Sequence, residues 1–210
     1  MVDANRTMEL RLPATRTPAA QPPTDLGSRL APIEKPHGLK LRFAYWGMRK
    51  FMGKVLTPVK VVNARVPESL AVTNSFLKFS AKGITLEKPL QLMIGDLVSQ
   101  INGCEFCLDL GRSAAARYET KTEKLEALPQ YRTSPLFSDR ERAALAYVDE
   151  VTRNKRVSDG TFAALQKQFS ERQIVEITLL NAIQNFYNLT NIPLGIGSDG
   201  FCAIPPKQSG

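Results

Sequence analysis

Cys104 and Cys107 are the residues best placed to do chemistry. They lie in the run Ile101-Asn-Gly-Cys104-Glu-Phe-Cys107-Leu-Asp-Leu-Gly111. Asn102-Gly103 breaks one helix, and a new helix resumes at once. Residues three apart in a helical turn share a face. Unpaired N–H groups and the helix dipole favour negative charge in a first turn, so a thiolate is stabilised there. The two sulfurs are close enough for a reversible disulfide. By this argument Cys104, nearer the helix start, is the more acidic thiol, and Glu105 mildly opposes ionisation. The spacing therefore points to redox chemistry. Buried, inert cysteines are one alternative. Structural zinc is another, but Cys202 and His37 would both have to complete its ligand set.

Composition narrows the rest. His37 is the only histidine, which excludes metalloprotease motifs and di-histidine iron sites. Three cysteines are too few for a disulfide-scaffolded secreted domain. At 210 residues and 43% hydrophobic content, the chain reads as one globular domain able to bury its own core. The first thirty residues lack the apolar core of a signal peptide. The longest uncharged stretch, Ile177 to Ser198, carries Asn181, Gln184, Asn185, Asn188, Asn191 and Pro193. That polar load argues against a membrane span. A cytoplasmic protein with free thiols is expected.

The elements that must position the cysteines are helical. Residues 1–38 hold six prolines and no hydrophobic period, and read as a flexible or extended N-terminal arm that includes His37. From residue 39 to 210 the chain reads as one helical domain. Leu41, Tyr45, Met48, Met52, Val55 and Val59 follow helical spacing, with Pro58 ending or kinking that helix. Pro67 opens a second helix, and Pro89 a third that runs towards Gly103. A fourth begins around Cys104. Ser138-Asp-Arg-Glu141 and Ser170-Glu-Arg-Gln173 are capping boxes, and Ser158 caps a shorter helix between them. No strand or hairpin pattern is present. The expected fold is an all-α bundle.

The Asn-Gly-Cys-Glu-Phe-Cys run after an amphipathic helix resembles the carboxymuconolactone decarboxylase and alkylhydroperoxidase D (AhpD-like) superfamily. The local match spans roughly residues 85–120, and the tail Leu194-Gly-Ile-Gly-Ser-Asp-Gly-Phe-Cys202 is also similar. The resemblance implies an AhpD-like helical bundle, a trimer-based homo-oligomer and a peroxide-linked thiol pair at Cys104 and Cys107. It implies no bound cofactor and no metal, only a peroxide or small-molecule substrate and a dithiol electron donor. Carried over, Cys107 attacks and Cys104 resolves, contrary to the helix-dipole ranking. Two positions depart from the pattern. Gly111 stands where the family often has a histidine, and Leu92 where it often has a glutamate. Asp96, one turn after Leu92, is a substitute for the relay or an ordinary surface carboxylate. Asp109 reads likewise.

Three functions follow. The first is a thiol-dependent oxidoreductase of alkylhydroperoxidase type, slowed by the missing relay. The second is a catalytically degenerate oligomeric scaffold of the same fold. The third is a carboxymuconolactone decarboxylase-type lyase, for which no residue set stands out. Lys40 to Arg65 carries seven cations, four aromatics and no acid, which fits a membrane surface, a nucleic acid or a core helix with a basic edge. No nucleic-acid motif accompanies it, so that partner is not expected. The neutral amides of the last long helix face a subunit, a pocket or solvent. Cys202 reads as an unpaired thiol in a tail able to fold back.

Overall fold

A computed structural model describes residues 28–115, 118 and 122–202. Its helices are α1 (Leu39–Met52), α2 (Ser69–Lys82), α3 (Lys88–Asn102), α4 (Glu105–Ala115), α5 (Thr122–Glu126), α6 (Asp139–Asn154), α7 (Asp159–Gln166) and α8 (Glu171–Asn191). No strand occurs among the described residues, so the all-α reading holds.

Both capping boxes form. The Ser138 N–H donates to Glu141 at 2.8 Å and Glu141 N–H returns to the Ser138 hydroxyl at 3.3 Å. The Ser170–Gln173 pair repeats the arrangement at 3.2 and 3.3 Å. Each box satisfies two donors that a helix start leaves free. Ser158 caps α7 through Thr161 N–H.

α3, α6 and α8 enclose the main core, built on Leu90, Met93, Ile94, Val98, Leu145, Val148 and Ile177. α1 is shorter than its hydrophobic period suggests. It stops at Met52 because Gly53 takes a left-handed conformation (φ 81°) that closes the helix. Val55 and Val59 still reach the same apolar cluster as Leu41 and Tyr45, although they lie beyond the helix, Val59 in a π-turn over Val59–Asn63. The period recorded burial there and not helicity.

Residues 28–38 are laid against the bundle. Arg29 N–H donates to the Leu194 carbonyl at 2.8 Å and Ile33 N–H to the Lys60 carbonyl at 3.1 Å. The Tyr45 hydroxyl donates to the Ile33 carbonyl at 2.8 Å. His37 is exposed in this segment. The remainder of the expected arm, residues 1–27, lies outside the described residues.

Glu176 pins the loop before α3 to α8. Its carboxylate accepts from Thr85 N–H at 2.9 Å, Leu86 N–H at 3.2 Å and Arg172 Nε at 2.9 Å. Burial alone would raise this carboxyl, but the donors of Thr85, Arg172 and Leu86 outweigh it and hold it below the ordinary carboxylate range. A group lowered in the folded state contributes stability above its unfolded value, near ~4.3 for glutamate. That contribution is lost as pH falls through the lower folded value. Urea denaturation followed by circular dichroism should therefore show wild-type stability dropping below about pH 4.3. Glu176→Gln should lower the neutral-pH stability by about 1–3 kcal/mol and flatten that acid drop.

Candidate functional site

The joint between α3 and α4 creates the site. Gly103 is left-handed (φ 73°), and Cys104 N–H and Gly103 N–H return to the Ser99 and Gln100 carbonyls at 3.0 and 3.3 Å. These two bonds form a Schellman closure, which glycine accommodates without strain. The Cys104 carbonyl then accepts from Leu108 N–H at 3.0 Å, the first bond of α4. The turn that ends one helix thus sets Cys104 at the mouth of the next. Cys107 follows in the first turn of α4, and the two cysteines are joined in a disulfide, with Cα atoms 5.3 Å apart.

The two sulfurs have different surroundings. Cys104 is 1% exposed and sits among Val61, Phe106 and Ile196. Cys107 is only partly buried, and Asn191 Nδ2 at the end of α8 donates to its sulfur at 3.5 Å. Glu105 points outward, its carboxylate 3.4 Å from where a Cβ on Gly197 would stand.

The C-terminal tail covers Cys104. Asp199 accepts from Thr57 N–H at 2.9 Å and from its hydroxyl at 2.6 Å, while Lys54 Nζ donates to the Asp199 carbonyl. Asp109 is buried, and its carboxylate accepts Phe201 N–H at 2.9 Å and Cys202 N–H at 2.7 Å. Burial would raise Asp109, but the two backbone donors and nearby side chains overcome it and lower the carboxyl below its ordinary value. Asp109 is therefore a clamp on the tail rather than a solvated side chain. Cys202 is the free thiol, exposed and 3.3 Å from the Asp109 carbonyl. Burial and then the Asp109 hydrogen bond push it up. Cys202 and His37 do not join the cysteine pair, and no three His, Cys, Asp or Glu side chains among the described residues are grouped to hold a metal ion.

Asp96 is likewise not a surface group. It is buried, with Arg112 Nε at 3.0 Å from one oxygen and Gln100 Nε2 at 2.5 Å from the other. Leu92 packs against the main core. On α4, nothing stands within 4 Å of where a Cβ on Gly111 would project.

The amides of α8 find partners within the chain, with Asn181 and Asn188 buried and Gln184 and Asn185 partly so. Asn102 Nδ2 donates to Asn185 and Asn188, both at 2.9 Å, and Gln184 Nε2 donates to the Ser99 hydroxyl at 2.9 Å. Asn185 reaches Asn181, which accepts from Thr152 at 3.3 Å. This polar seam joins α8 to α3 and α6, and Asn191 stands at its end beside Cys107. Asn191 and Arg112 were not legible as site residues. Their one sequence signal was chemical type: an amide in an amide-rich run, and a cation beside Gly111.

Sequences of the Carboxymuconolactone decarboxylase family match residues 67–150, the span that contains both cysteines. YnjA of Escherichia coli K12, an uncharacterized protein, is 31% identical over 173 residues, or 81% of this chain and 94% of its own length. This chain belongs to the carboxymuconolactone decarboxylase family. The family's AhpD-like fold is evident in solved structures. An uncharacterized peroxidase-related protein from Ralstonia eutropha JMP134, an alkylhydroperoxidase AhpD core, superposes with TM-score 0.71 at 21% identity, over 85% of this chain and 98% of that one. The debrominase Bmp8, as a cysteine-to-alanine variant with 2,3,4-tribromopyrrole, superposes with TM-score 0.70 at 21% identity, over 82% and 92%. At such identities the likeness is one of fold. Among the described residues, no helix of this family member is long and apolar enough to cross a membrane.

Proposed function

We propose that this protein is a thiol-dependent oxidoreductase of alkylhydroperoxidase type, in which Cys107 attacks and Cys104 resolves. The observation that carries this reading is the asymmetry of the disulfide. A sulfur anion at Cys104 would be enclosed by Val61, Phe106 and Ile196, and burying an unpaired charge is costly. At Cys107 it meets the Asn191 amide and lies in a first helical turn. Burial thus outweighs the helix-dipole argument for Cys104. The peroxidase-related Ralstonia relative is consistent with the same chemistry.

In the proposed cycle, the Cys107 thiolate attacks the distal oxygen of a peroxide. The S–O bond forms, the O–O bond breaks, and the alkoxide leaves as an alcohol after taking a proton. The Cys104 thiolate then attacks the Cys107 sulfenic acid, the S–S bond forms, and hydroxide leaves as water after protonation. The cysteines are left as a disulfide, short of the two electrons that reduced the peroxide. An external dithiol returns them by thiol–disulfide exchange at the accessible Cys107 sulfur, being oxidised to its own disulfide.

Turnover is expected to be slow. Gly111 offers no proton carrier, and both Asp96 oxygens are already engaged. This also favours the second reading, an oligomeric scaffold that keeps the fold without the activity. Peroxide consumption with an artificial dithiol donor separates the two. Wild type should consume peroxide slowly, and its two thiols should close to a disulfide with loss of two hydrogens by intact mass. Cys107→Ser should be inactive. With the donor left out, Cys104→Ser should stop after one equivalent, with a sulfenic acid on Cys107 that a dimedone probe captures. Thiols that survive excess peroxide in the folded wild type would overturn the oxidoreductase reading in favour of the scaffold.

A homo-oligomer belongs to the same proposal, trimer-based as the family resemblance implies. Its support is the outer face of α8, where Val175, Leu179, Phe186 and Leu189 are exposed, and α2, which has no buried residue.

A further inference from the structure

α1 turns an apolar face outward. Leu41 and Tyr45 hold its inner side against Val55 and Val59. Leu39, Phe43 and Trp46 follow at i, i+4 and i+7 on the opposite side, and are 82%, 71% and 53% exposed. The Phe43 and Trp46 rings lie 5.5 Å apart, and Lys50 Nζ stands 5.2 Å over the Trp46 ring. Phe51, near the end of the helix, is exposed as well. The charge around this face has one sign. No acidic residue lies between Glu34 and Glu68. None of the ion pairs among the described residues involves Lys40, Arg42, Arg49 or Lys50.

We propose that α1 docks on a membrane surface bearing anionic lipids. Leu39, Phe43 and Trp46 enter the boundary between headgroups and acyl chains, while Lys40, Arg42, Arg49 and Lys50 meet the phosphates. A short helix with aromatic and leucine residues on one side and unpaired cations flanking them suits that boundary. Charge complementarity selects this occupant. A second copy docked on the same face would oppose cations to cations. A nucleic acid would meet the same cations but would offer Leu39, Phe43 and Trp46 no apolar phase to enter. The thiol pair takes no part, so the proposal stands apart from the redox reading.

Trp46 is the only tryptophan, so its emission reports on this face alone. The full chain is mixed with phosphatidylcholine vesicles with and without phosphatidylglycerol. With phosphatidylglycerol, Trp46 emission should shift to the blue and the protein should sediment with the vesicles. Phosphatidylcholine alone should give neither change, and high salt should reverse both. Each basic residue near an anionic surface contributes enough that Arg42→Glu with Lys50→Glu should weaken partitioning by roughly 25-fold or more. Leu39→Ser with Phe43→Ser should abolish the emission shift. These positions are exposed, so circular dichroism and mass should match wild type. No binding, equal binding to neutral vesicles, or wild-type binding by the folded variants would overturn the proposal. So would displacement from vesicles by duplex DNA at matched phosphate, or an oligomer mass that changes with the α1 substitutions.

Discussion

Gly111→His is expected to raise peroxide turnover by about 10²–10⁴-fold, the usual contribution of a placed general acid–base group. Position 111 is four residues after Cys107 on the same helix, so an imidazole there lies one turn along the thiol's face. A Cβ fits there, because beyond the helix's own backbone nothing stands within 4 Å of where it would be. The backbone cost is favourable too, since glycine inside a helix is a few tenths of a kcal/mol worse than histidine. Neither Asp96 nor Asp109 is free to supply the proton. Asp96 is closed by Arg112 and Gln100, and Asp109 by the tail. Initial rates with hydrogen peroxide and a tertiary alkyl hydroperoxide, measured with a dithiol donor, read the gain. Its pH profile should acquire a limb near ~6.5, the ordinary histidine value, absent from wild type. A correctly folded Gly111→His protein with an unchanged rate would mean that the thiol pair is not placed for peroxide. Leu92→Glu should not add to this gain. Leu92 is partly buried against the core, so a carboxylate there would be partly desolvated and should lower stability.

What the sequence revealed, and what it hid, divides by distance along the chain. The capping boxes at Ser138 and Ser170, the glycine that ends α3 and the cysteine pair after it are local patterns, and local hydrogen bonds enforce them. The Cys104–Cys107 pairing needs only three residues of chain. Roles that depend on remote partners were not legible. Asp109 looks solvated until Phe201 and Cys202 present their N–H groups from the other end of the domain. Asp96 looks free until α4 brings Arg112 to it. The amides of α8 left a subunit, a pocket and solvent open, because the absence of charge does not say which group answers it. The partner is α3 of the same chain, where Ser99 and Asn102 supply the complementary groups. Hydrophobic period was equally double-edged. It found the buried side of α1, yet carried the helix past Gly53, because Val55 and Val59 reach the same cluster from outside it.

The apolar surface of α8 leads to the second large effect. Val175, Leu179, Phe186 and Leu189 are exposed, and with Ala182 they recur at intervals of four, three, four and three. That is the spacing of a helix seam which another helix can fill. Phe76 from α2 extends it, its ring 5.3 Å from Phe186 in an edge-on arrangement. Light scattering should give wild type a mass well above 23.3 kDa. Leu179→Glu with Leu189→Glu should return it to the monomer. Burying one leucine contributes about 1.5–3 kcal/mol, so two lost per protomer weaken association by about 10²–10⁴-fold before any charge is counted. In a closed symmetric assembly every protomer carries the same loss, and each new carboxylate must also be desolvated. The inner face of α8, through Ile177, Leu180 and Asn188, is untouched, so the helical signal should persist. A wild-type monomer at micromolar concentration would sink the oligomer. A double variant that keeps the wild-type mass would move the interface away from α8.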